Sequence, residues 1–263
     1  MIGSVQKAAK AVELMDEYLR KNLPKERLWT SYTPAEKRKR GEQFSLQEHV
    51  RGMVLAMLSG ERRWDGIDSN MKQIERIFFG FDPERLMAEP CEALEEAVRQ
   101  ISCGNRRIKF QMQALKPNIE KLKSFEEQHG SVDAFFQKLI DQDASLKSLV
   151  KALSGSQSKD KLLELGVPLV SEYLRHVGYN VPKPDRHIRR ILGSKRLACS
   201  KKEFVSEFEV FDIIAELAKE TNKTGAEVDY ILWSYCADGY GAICTESPKC
   251  SECVAKAFCN AEG

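Results

Sequence analysis

Four cysteines lie within sixteen residues near the end of the chain and restrict how its last segment can fold. Cys244, Cys250, Cys253 and Cys259 are separated by five, two and five residues. This spacing allows a fold to bring all four sulfurs around one centre. Scattered buried cysteines behave as small apolar residues and would not cluster in this way. The tail therefore predicts a set of four thiolate ligands, for either a structural zinc ion or an iron–sulfur cluster.

The composition is typical of a globular protein. The chain has 263 residues, of which 30% are charged, and its formal net charge is +2. These values allow a sizeable core and exclude a disordered polyanion or polycation. The first 23 residues alternate apolar and charged side chains at helical spacing, unlike a signal peptide, and no run of about 18 apolar residues occurs. We therefore expect a cytoplasmic protein, in which reducing conditions favour metal-bound thiolates over disulfides.

Helical periodicity predicts an all-α fold. Ser45-Leu-Gln-Glu48 is a capping box, and apolar residues follow it at spacings of three and four. Short turns rich in Gly, Pro, Ser and Asp separate the helical segments, and almost no strand-like alternation occurs. The candidate helices cover residues 5–22, 45–58, 69–79, 84–87, 92–100, 109–115, 117–128, 131–141, 144–153, 159–165, 168–177, 185–192, 202–221 and 225–236.

Residues 159–192 combine a tight turn with an aspartate at a helix start. Gly166 provides backbone freedom for a Gly-Val-Pro turn. Pro168 suits the first turn of a helix, because a backbone N–H at that position would have no partner within the helix. A Val-Pro-Lys-Pro connection then leads to Asp185. By itself this carboxylate has two interpretations. It is either a helix N-cap or a charged group that stabilises positive charge developing on a sugar.

Taken in order, the turn, the aspartate and the cysteine tail resemble the helix-hairpin-helix DNA glycosylase superfamily, in particular its iron–sulfur, endonuclease III-like branch. Leu165-Gly-Val-Pro-Leu-Val170 is similar to the hairpin, and Pro184-Asp185-Arg-His187 is similar to the segment with the catalytic aspartate. The tail is similar to the family's cluster loop, although its first gap has five residues instead of six. The resemblance implies a [4Fe–4S] cluster bound by Cys244, Cys250, Cys253 and Cys259.

The resemblance extends more weakly over residues 45–263 and implies two helical lobes with DNA across the cleft. It predicts a six-helix barrel lobe at 45–155 and a helix-hairpin-helix motif at 156–180. Residues 181–263 would form a cluster lobe together with the N-terminal helix and basic segment at 1–44.

The implied activity is base-excision repair. A damaged or mispaired base is flipped out of double-stranded DNA, and Asp185 stabilises the oxocarbenium-like sugar and orients water. Members with lyase activity carry a lysine four residues after the first hairpin glycine, where this chain has Val170. Unless Lys161 or Lys183 reaches the sugar, we expect a monofunctional glycosylase without AP-lyase activity. The expected state is a monomer, associated with the nucleoid if the source is bacterial.

The resemblance also implies which residues face DNA. Phosphate contacts are expected from Lys161, Gly166, Val167, Val170, Ser171, Arg186 and Arg189. Two loops are candidates for the wedge that fills the gap left by a flipped base, although each is also compatible with an ordinary surface turn. Their residues are Glu61, Arg62, Arg63, Trp64 and Asn105.

The alternative hypothesis is a catalytically silent DNA-binding or redox-responsive module on the same scaffold. Two departures from the family pattern favour it. Pro168 replaces the second hairpin glycine and so removes a backbone N–H, and Glu61 stands where related chains carry a glutamine.

Overall fold

The computed structural model describes residues 2–28, 33–62, 64–142 and 146–260. Across these ranges the chain forms helices joined by turns, without β-strands, which confirms the predicted all-α class. In chain order the α-helices are α1 (Ile2–Asn22), α2 (Thr33–Lys39), α3 (Leu46–Leu58), α4 (Trp64–Ser69), α5 (Met71–Ile77), α6 (Pro83–Ala88), α7 (Cys91–Gln100), α8 (Ile108–His129), α9 (Val132–Asp141), α10 (Leu146–Ser154), α11 (Val167–His176), α12 (Arg186–Ile191), α13 (Glu207–Thr221) and α14 (Gly225–Cys236).

The chain folds as two compact units. The terminal unit combines Met1–Thr33 with Asn180–Gly263, and the central unit is Pro34–Tyr179. Residues 34–44 thus belong to the central unit, whereas the sequence placed them with the cluster lobe. Arg38 accounts for the difference, because its guanidinium group donates hydrogen bonds of 2.8 Å to the carboxylate of Asp133 and to the carbonyl of Val177.

Helix α1 forms much of the core of the terminal unit. It packs against α13 and α14 through a face predicted from its periodicity. The buried residues of that face are Val5, Ala8, Val12, Met15 and Leu19. Helix α14 carries the fully buried Tyr235, whose ring lies edge-on to Tyr18 at 5.6 Å. The two ends of the sequence therefore share one hydrophobic core.

The central unit packs α3 against α8 and α11 around a buried polar network. Asp133, which is 5% exposed, accepts hydrogen bonds from Arg38 and from the backbone N–H of Phe44, both at 2.8 Å. Its carboxylate also lies 3.3 Å from Nε2 of His49, whose Nδ1 is 2.7 Å from the hydroxyl of Tyr173. Burial acts to raise the pKa of Asp133, but these partners outweigh it and lower the pKa to about 2.

Helix α8 joins two of the predicted helices into one. The sequence suggested a break at Pro117, but α8 continues through this residue from Ile108 to His129. A proline inside a helix removes one hydrogen bond and crowds the preceding turn. Met112, Leu115, Ile119 and Leu122 form a continuous buried face across it, and burial of that face stabilises the uninterrupted helix.

Residues 159–165 are not helical, which corrects the prediction of a helix before the hairpin. Their backbone groups bond to other elements instead. The N–H of Leu162 donates to the carbonyl of Leu153 at 2.8 Å. The side-chain amide of Asn118 accepts from the N–H of Leu163 at 2.7 Å and donates to its carbonyl at 2.9 Å. Because these long-range partners satisfy the backbone, an extended turn replaces the first helix of the predicted motif.

The segment predicted as a six-helix barrel, residues 45–155, contains α3 to α10 in its described part. Three of these helices, α4, α5 and α6, have only six or seven residues. Among the described residues, no helix is both long and apolar enough to cross a lipid bilayer.

Candidate active site and cysteine loop

Asp185 caps helix α12 in the terminal unit. Its Oδ1 accepts hydrogen bonds from the N–H groups of His187 at 2.8 Å and Ile188 at 3.1 Å, which confirms the predicted N-cap. Among the described residues, no hydrogen bond to Oδ2 is found. The carboxylate is half-buried, so one oxygen fixes the side chain and the other is left for a further partner.

The segment that leads to Asp185 is held by the rest of the terminal unit. Pro182 and Pro184 are buried, and the N–H of Lys183 donates to the buried carboxylate of Asp229 at 2.9 Å. Asn180 accepts a hydrogen bond from the N–H of Ala226 at 2.7 Å. Both acceptors position the segment against α14, and this anchoring makes the location of Asp185 precise.

Arg190 links α12 to the cysteine tail. Its guanidinium group is 3.2 Å from Nδ1 of His187 and donates to the carbonyl of Cys244 at 3.3 Å. Glu246 lies 3.8 Å from Arg190 and 4.0 Å from the exposed Arg186. Burial lowers the pKa of His187, which favours the neutral imidazole next to this arginine.

The cysteine tail folds back onto the end of α14. The N–H groups of Ile243 and Cys244 both donate to the carbonyl of Tyr235, at 3.0 and 3.2 Å. The hydroxyl of Tyr235 lies 3.4 Å from the sulfur of Cys253 and accepts from the N–H of Val254 at 3.2 Å. Cys244 is buried, whereas Cys250, Cys253 and Cys259 are half-buried. The buried Tyr235 thus contacts two of the four predicted ligands, Cys244 through its carbonyl and Cys253 through its hydroxyl.

In the part of the chain that the structure describes, no three His, Cys, Asp or Glu side chains are arranged as ligands of one metal ion. The donors around Cys244 nevertheless fit an anionic thiolate-bound group. The Nε atoms of Arg190 and Arg196 are buried without a hydrogen-bond partner among the described residues. A hydrogen bond from Cys236, followed by the charges of Arg196 and Arg190, lowers the pKa of Cys244 to about 7 despite its burial. The pocket therefore favours a thiolate and leaves two N–H groups to be satisfied.

The predicted hairpin is only partly exposed. Gly166 precedes α11, and its carbonyl accepts from the N–H groups of Leu169 and Val170 at 3.0 and 2.9 Å. Val170 and Ser171 are fully buried, and the hydroxyl of Ser171 has no hydrogen-bond partner among the described residues. Both side chains face inward because α11 packs on α3, so the Ser171 hydroxyl is not accessible to a phosphate in this conformation, and phosphate binding by the hairpin amides stays a prediction.

The other predicted phosphate contacts differ in how accessible they are. Gly166 is exposed, Lys161 is half-buried and Val167 is largely buried. The side chain of Arg186 is 70% exposed. Arg189 is already engaged, since its Nε donates to the carbonyl of Val205 at 2.6 Å and its guanidinium lies 4.5 Å from the centre of the Phe204 ring. Gly166 and Arg186 are thus the most accessible of the set.

The two predicted wedge loops form one surface on the central unit. Arg62 donates to the carbonyl of Ser102, and Arg106 forms an ion pair of 2.8 Å with Glu61. Arg107 makes a two-pronged contact with Glu164, at 2.7 to 3.0 Å, which joins the second loop to the turn before the hairpin. We call Glu61, Arg62, Arg106, Arg107 and Glu164 the loop surface. Arg106 and Arg107 belong to the second predicted loop, whereas Glu164, 57 residues from Arg107 in the sequence, joins this surface only through the fold.

The remaining wedge candidates have other positions. Asn105 is 8% exposed, and its amide donates to the carbonyl of Met57 at 2.9 Å and to Gln111 at 3.1 Å. It therefore positions its loop and cannot itself enter a duplex in this conformation, which corrects that prediction. Trp64 stacks on His176 with ring centres 5.4 Å apart. Arg63 lies outside the described residues.

No protein-family model and no curated protein matches the sequence. Among solved structures, the chain is similar to Methanocaldococcus jannaschii 8-oxoguanine glycosylase/lyase in complex with a 15mer DNA that contains 8-oxoguanine. The TM-score is 0.58 at 20% sequence identity, and the alignment covers 87% of this chain and 97% of that chain. Over most of its length the chain therefore shares the helical fold of that structure.

Proposed function

We propose that this protein is a DNA glycosylase that removes a damaged or mispaired base from double-stranded DNA. The observation that carries the proposal is a half-buried carboxylate, Asp185, fixed at the start of α12 in a chain with a glycosylase fold. The similar enzyme was crystallised with DNA that contains a damaged base. Base excision requires a group that stabilises positive charge on the sugar, and Asp185 has the charge and the fixed position for that role.

Asp185 acts twice in the proposed reaction. The N-glycosidic bond breaks, the base leaves with the bonding electrons, and the carboxylate stabilises the oxocarbenium-like sugar. Water then adds to the anomeric carbon, with Asp185 orienting it and accepting its proton. The N–H groups of His187 and Ile188 hold Oδ1, so Oδ2 is the oxygen proposed to meet the sugar and water.

The reaction is proposed to end at the abasic site. In lyase-active members of the family that the sequence resembles, a lysine amine attacks the sugar from the position that Val170 occupies here. Val170 is fully buried on α11 and has no nucleophilic group. The chain is therefore proposed to differ from the structurally similar glycosylase/lyase in lacking strand cleavage.

DNA contacts are proposed from both units separately. On the central unit, the loop surface supplies exposed cations at Arg106 and Arg107, with side chains 84% and 57% exposed, and Arg107 contacts Glu164, two residues before the exposed Gly166. On the terminal unit, Arg186 offers an exposed cation one residue after Asp185. Exposed arginines bind phosphates through charge and paired N–H donors.

We further propose that Cys244, Cys250, Cys253 and Cys259 hold a [4Fe–4S] cluster. When bound, the cluster would supply a rigid anchor for the tail instead of taking part in base excision. The unpartnered Nε atoms of Arg190 and Arg196 beside Cys244 support an anionic group at this position.

The activity is tested by incubating the protein with duplexes that each carry one of a panel of lesions and mismatches. We expect release of a free base and abasic sites that break only after alkali treatment. Asp185→Asn should lower base release at least 100-fold and keep duplex binding, because asparagine still caps α12.

Asp82→Asn is the matched control. Asp82 also caps a helix with one oxygen that accepts two N–H groups, at 2.9 and 3.1 Å, but it lies on the central unit at the start of α6. The Asp82→Asn variant should excise bases at the wild-type rate. Equal rates for Asp185→Asn and Asp82→Asn would contradict the catalytic role of Asp185, and duplex binding without any base release would favour a silent binding module.

Borohydride trapping tests the absence of lyase activity. We expect no covalent adduct between wild-type protein and DNA, because Val170 offers no amine. An adduct that disappears in Lys161→Ala or Lys183→Ala would show that a lysine elsewhere forms a Schiff base and would overturn the monofunctional assignment.

A further inference from the structure

A concave pocket on the central unit is lined by residues that have no part in the proposed excision site or in the loop surface. It is formed by α5, the turn at Phe79–Phe81 and α6, and its volume is about 440 Å³. Its lining residues are Lys72, Glu75, Arg76, Phe79, Gly80 and Arg85. This volume is typical of small-molecule sites, and it is too small to admit a double helix. We call it the α5–α6 pocket.

The α5–α6 pocket is positively charged. Lys72, Arg76 and Arg85 are exposed, and none of them forms an ion pair with another described residue, whereas each arginine of the loop surface has an acidic or carbonyl partner. Lys72 and Arg76 are one turn apart on α5, where like charges repel each other. Glu75, the acidic residue of the lining, lies 3.8 Å from the guanidinium group of Arg51, which offsets its charge. Three cations thus converge without a counter-charge, and an anionic ligand would remove their repulsion.

A strained turn holds an aromatic ring in the wall of the pocket. Phe79 and Phe81 have φ values of +52° and +66°, on either side of Gly80 at +65°. Left-handed backbone is unfavourable for bulky residues and persists only where the surroundings enforce it. Here Phe81 is buried, and Gln47 donates to the carbonyl of Gly80 at 2.7 Å. The Phe79 ring then lies 4.5 Å from the guanidinium group of Arg85, which is thereby oriented before any ligand binds.

We propose that the α5–α6 pocket binds a small molecule that carries a diphosphate group. Two adjacent phosphates match the charge of three converging cations, and Arg76 and Arg85 offer paired N–H donors to phosphate oxygens. Free pyrophosphate and a nucleoside diphosphate share this chemistry. In a nucleoside diphosphate, the base would add contact with the wall that Phe79 forms. Base excision at Asp185 is not required for this binding.

The binding is tested by calorimetric titration of the full-length protein with pyrophosphate and with ADP. We expect saturable binding of both, which weakens as the salt concentration rises. Arg76→Gln and Arg85→Gln should each weaken binding about tenfold, because each change removes charge-assisted hydrogen bonds to phosphate. Glu75→Gln should strengthen binding, since it removes a negative charge from the pocket. Lys138→Gln, at an exposed position on α9, is the control and should bind like wild type.

The two probes also distinguish the sources of the diphosphate. Tighter binding of ADP than of pyrophosphate would make the nucleoside part of the ligand, and equal binding would assign the site to the diphosphate alone. Arg76→Gln should release bases from DNA at the wild-type rate, so failure of this binding and failure of the proposed excision are separate results.

Four results would overturn the inference. They are absence of saturable binding, equal affinities of Arg76→Gln and Lys138→Gln, displacement of pyrophosphate by an equal concentration of sulfate, and displacement by unmodified duplex DNA. Sulfate displacement would indicate a non-selective anion site. Displacement by duplex, together with weaker duplex binding by Arg76→Gln, would assign these cations to the DNA-contacting surface.

Discussion

Two aspartates show how surroundings suit one residue type to a proposed catalytic role at one position and to a structural role at another. Asp185 uses one oxygen to cap α12 and is half-buried, so its other oxygen can meet a substrate or water. Asp133 is buried and surrounded by Arg38, the Phe44 N–H and His49. Its hydrogen bonds are used within the central unit, and it is assigned a structural role.

Asp133 should make the central unit sensitive to acid. The pKa of its carboxyl is lowered from 3.8 to about 2, so the folded state binds the proton less tightly than the unfolded state. The resulting stability is present above pH 3.8 and is lost as the pH falls toward 2. We expect the free energy of unfolding to drop by about 2 kcal/mol over that window, as measured by urea denaturation.

Asp133→Asn isolates this effect. The variant should lose about 3 kcal/mol at neutral pH, because the half-buried Arg38 loses its charged partner, and should lack the acid-dependent component. Asp68→Asn, at an exposed position on α4, is the control and should unfold like wild type at every pH. If Asp133→Asn lost as much free energy of unfolding in acid as the wild-type protein does, groups other than Asp133 would be the cause.

At the scale of elements, one glycine fixes how α2 meets the end of α11. Gly178 has a φ of +80°, and a Cβ atom at this position would lie 2.3 Å from the carbonyl oxygen of Pro34. The backbone at Gly178 can lie against the Pro34 carbonyl only because residue 178 has no Cβ atom. Arg38, one turn further along α2, then reaches the carbonyl of Val177 and joins the same contact.

Gly178→Ala should therefore be more costly than an ordinary glycine substitution. Gly130 is the matched control: its φ is +84°, but nothing lies within 4 Å of its would-be Cβ. We expect Gly130→Ala to cost about 1 kcal/mol for its left-handed backbone alone, and Gly178→Ala to cost clearly more because Pro34 must also move. Urea unfolding of the two variants measures the difference, and equal costs would mean that the α2 contact adjusts without strain.

At the scale of the whole molecule, the terminal unit depends on both ends of the sequence. Helix α1 covers α13 and α14, and α14 leads directly into the cysteine tail. Helices from both ends of the sequence therefore share one hydrophobic core beside the proposed cluster loop. The entire central unit lies between α1 and the tail in the sequence.

Met15→Ala tests this dependence without touching the tail. Met15 is 2% exposed, and its truncation should cost about 3 kcal/mol and increase the loss of iron to a chelator. Lys10→Ala is the control, because it removes only an exposed ion pair of 3.2 Å with Glu13. Equal unfolding midpoints and equal iron retention for the two variants would contradict a shared core.

Local patterns in the sequence were sufficient for several features of this protein. Helical periodicity and capping residues predicted the all-α class, the capping box at Ser45 and the position of Asp185 at a helix start. Such features depend on residues three or four positions apart, whose contacts form within a single helix.

Only the tertiary structure decided which residues are accessible and which distant segments meet. Val170 and Ser171 are buried because α11 packs on α3, and residues 159–165 are irregular because Asn118 and Leu153 take their backbone hydrogen bonds. The same long-range packing joins the two predicted wedge loops. Side-chain exposure and backbone partners far along the chain are set by packing between elements, and a one-dimensional pattern does not contain that information.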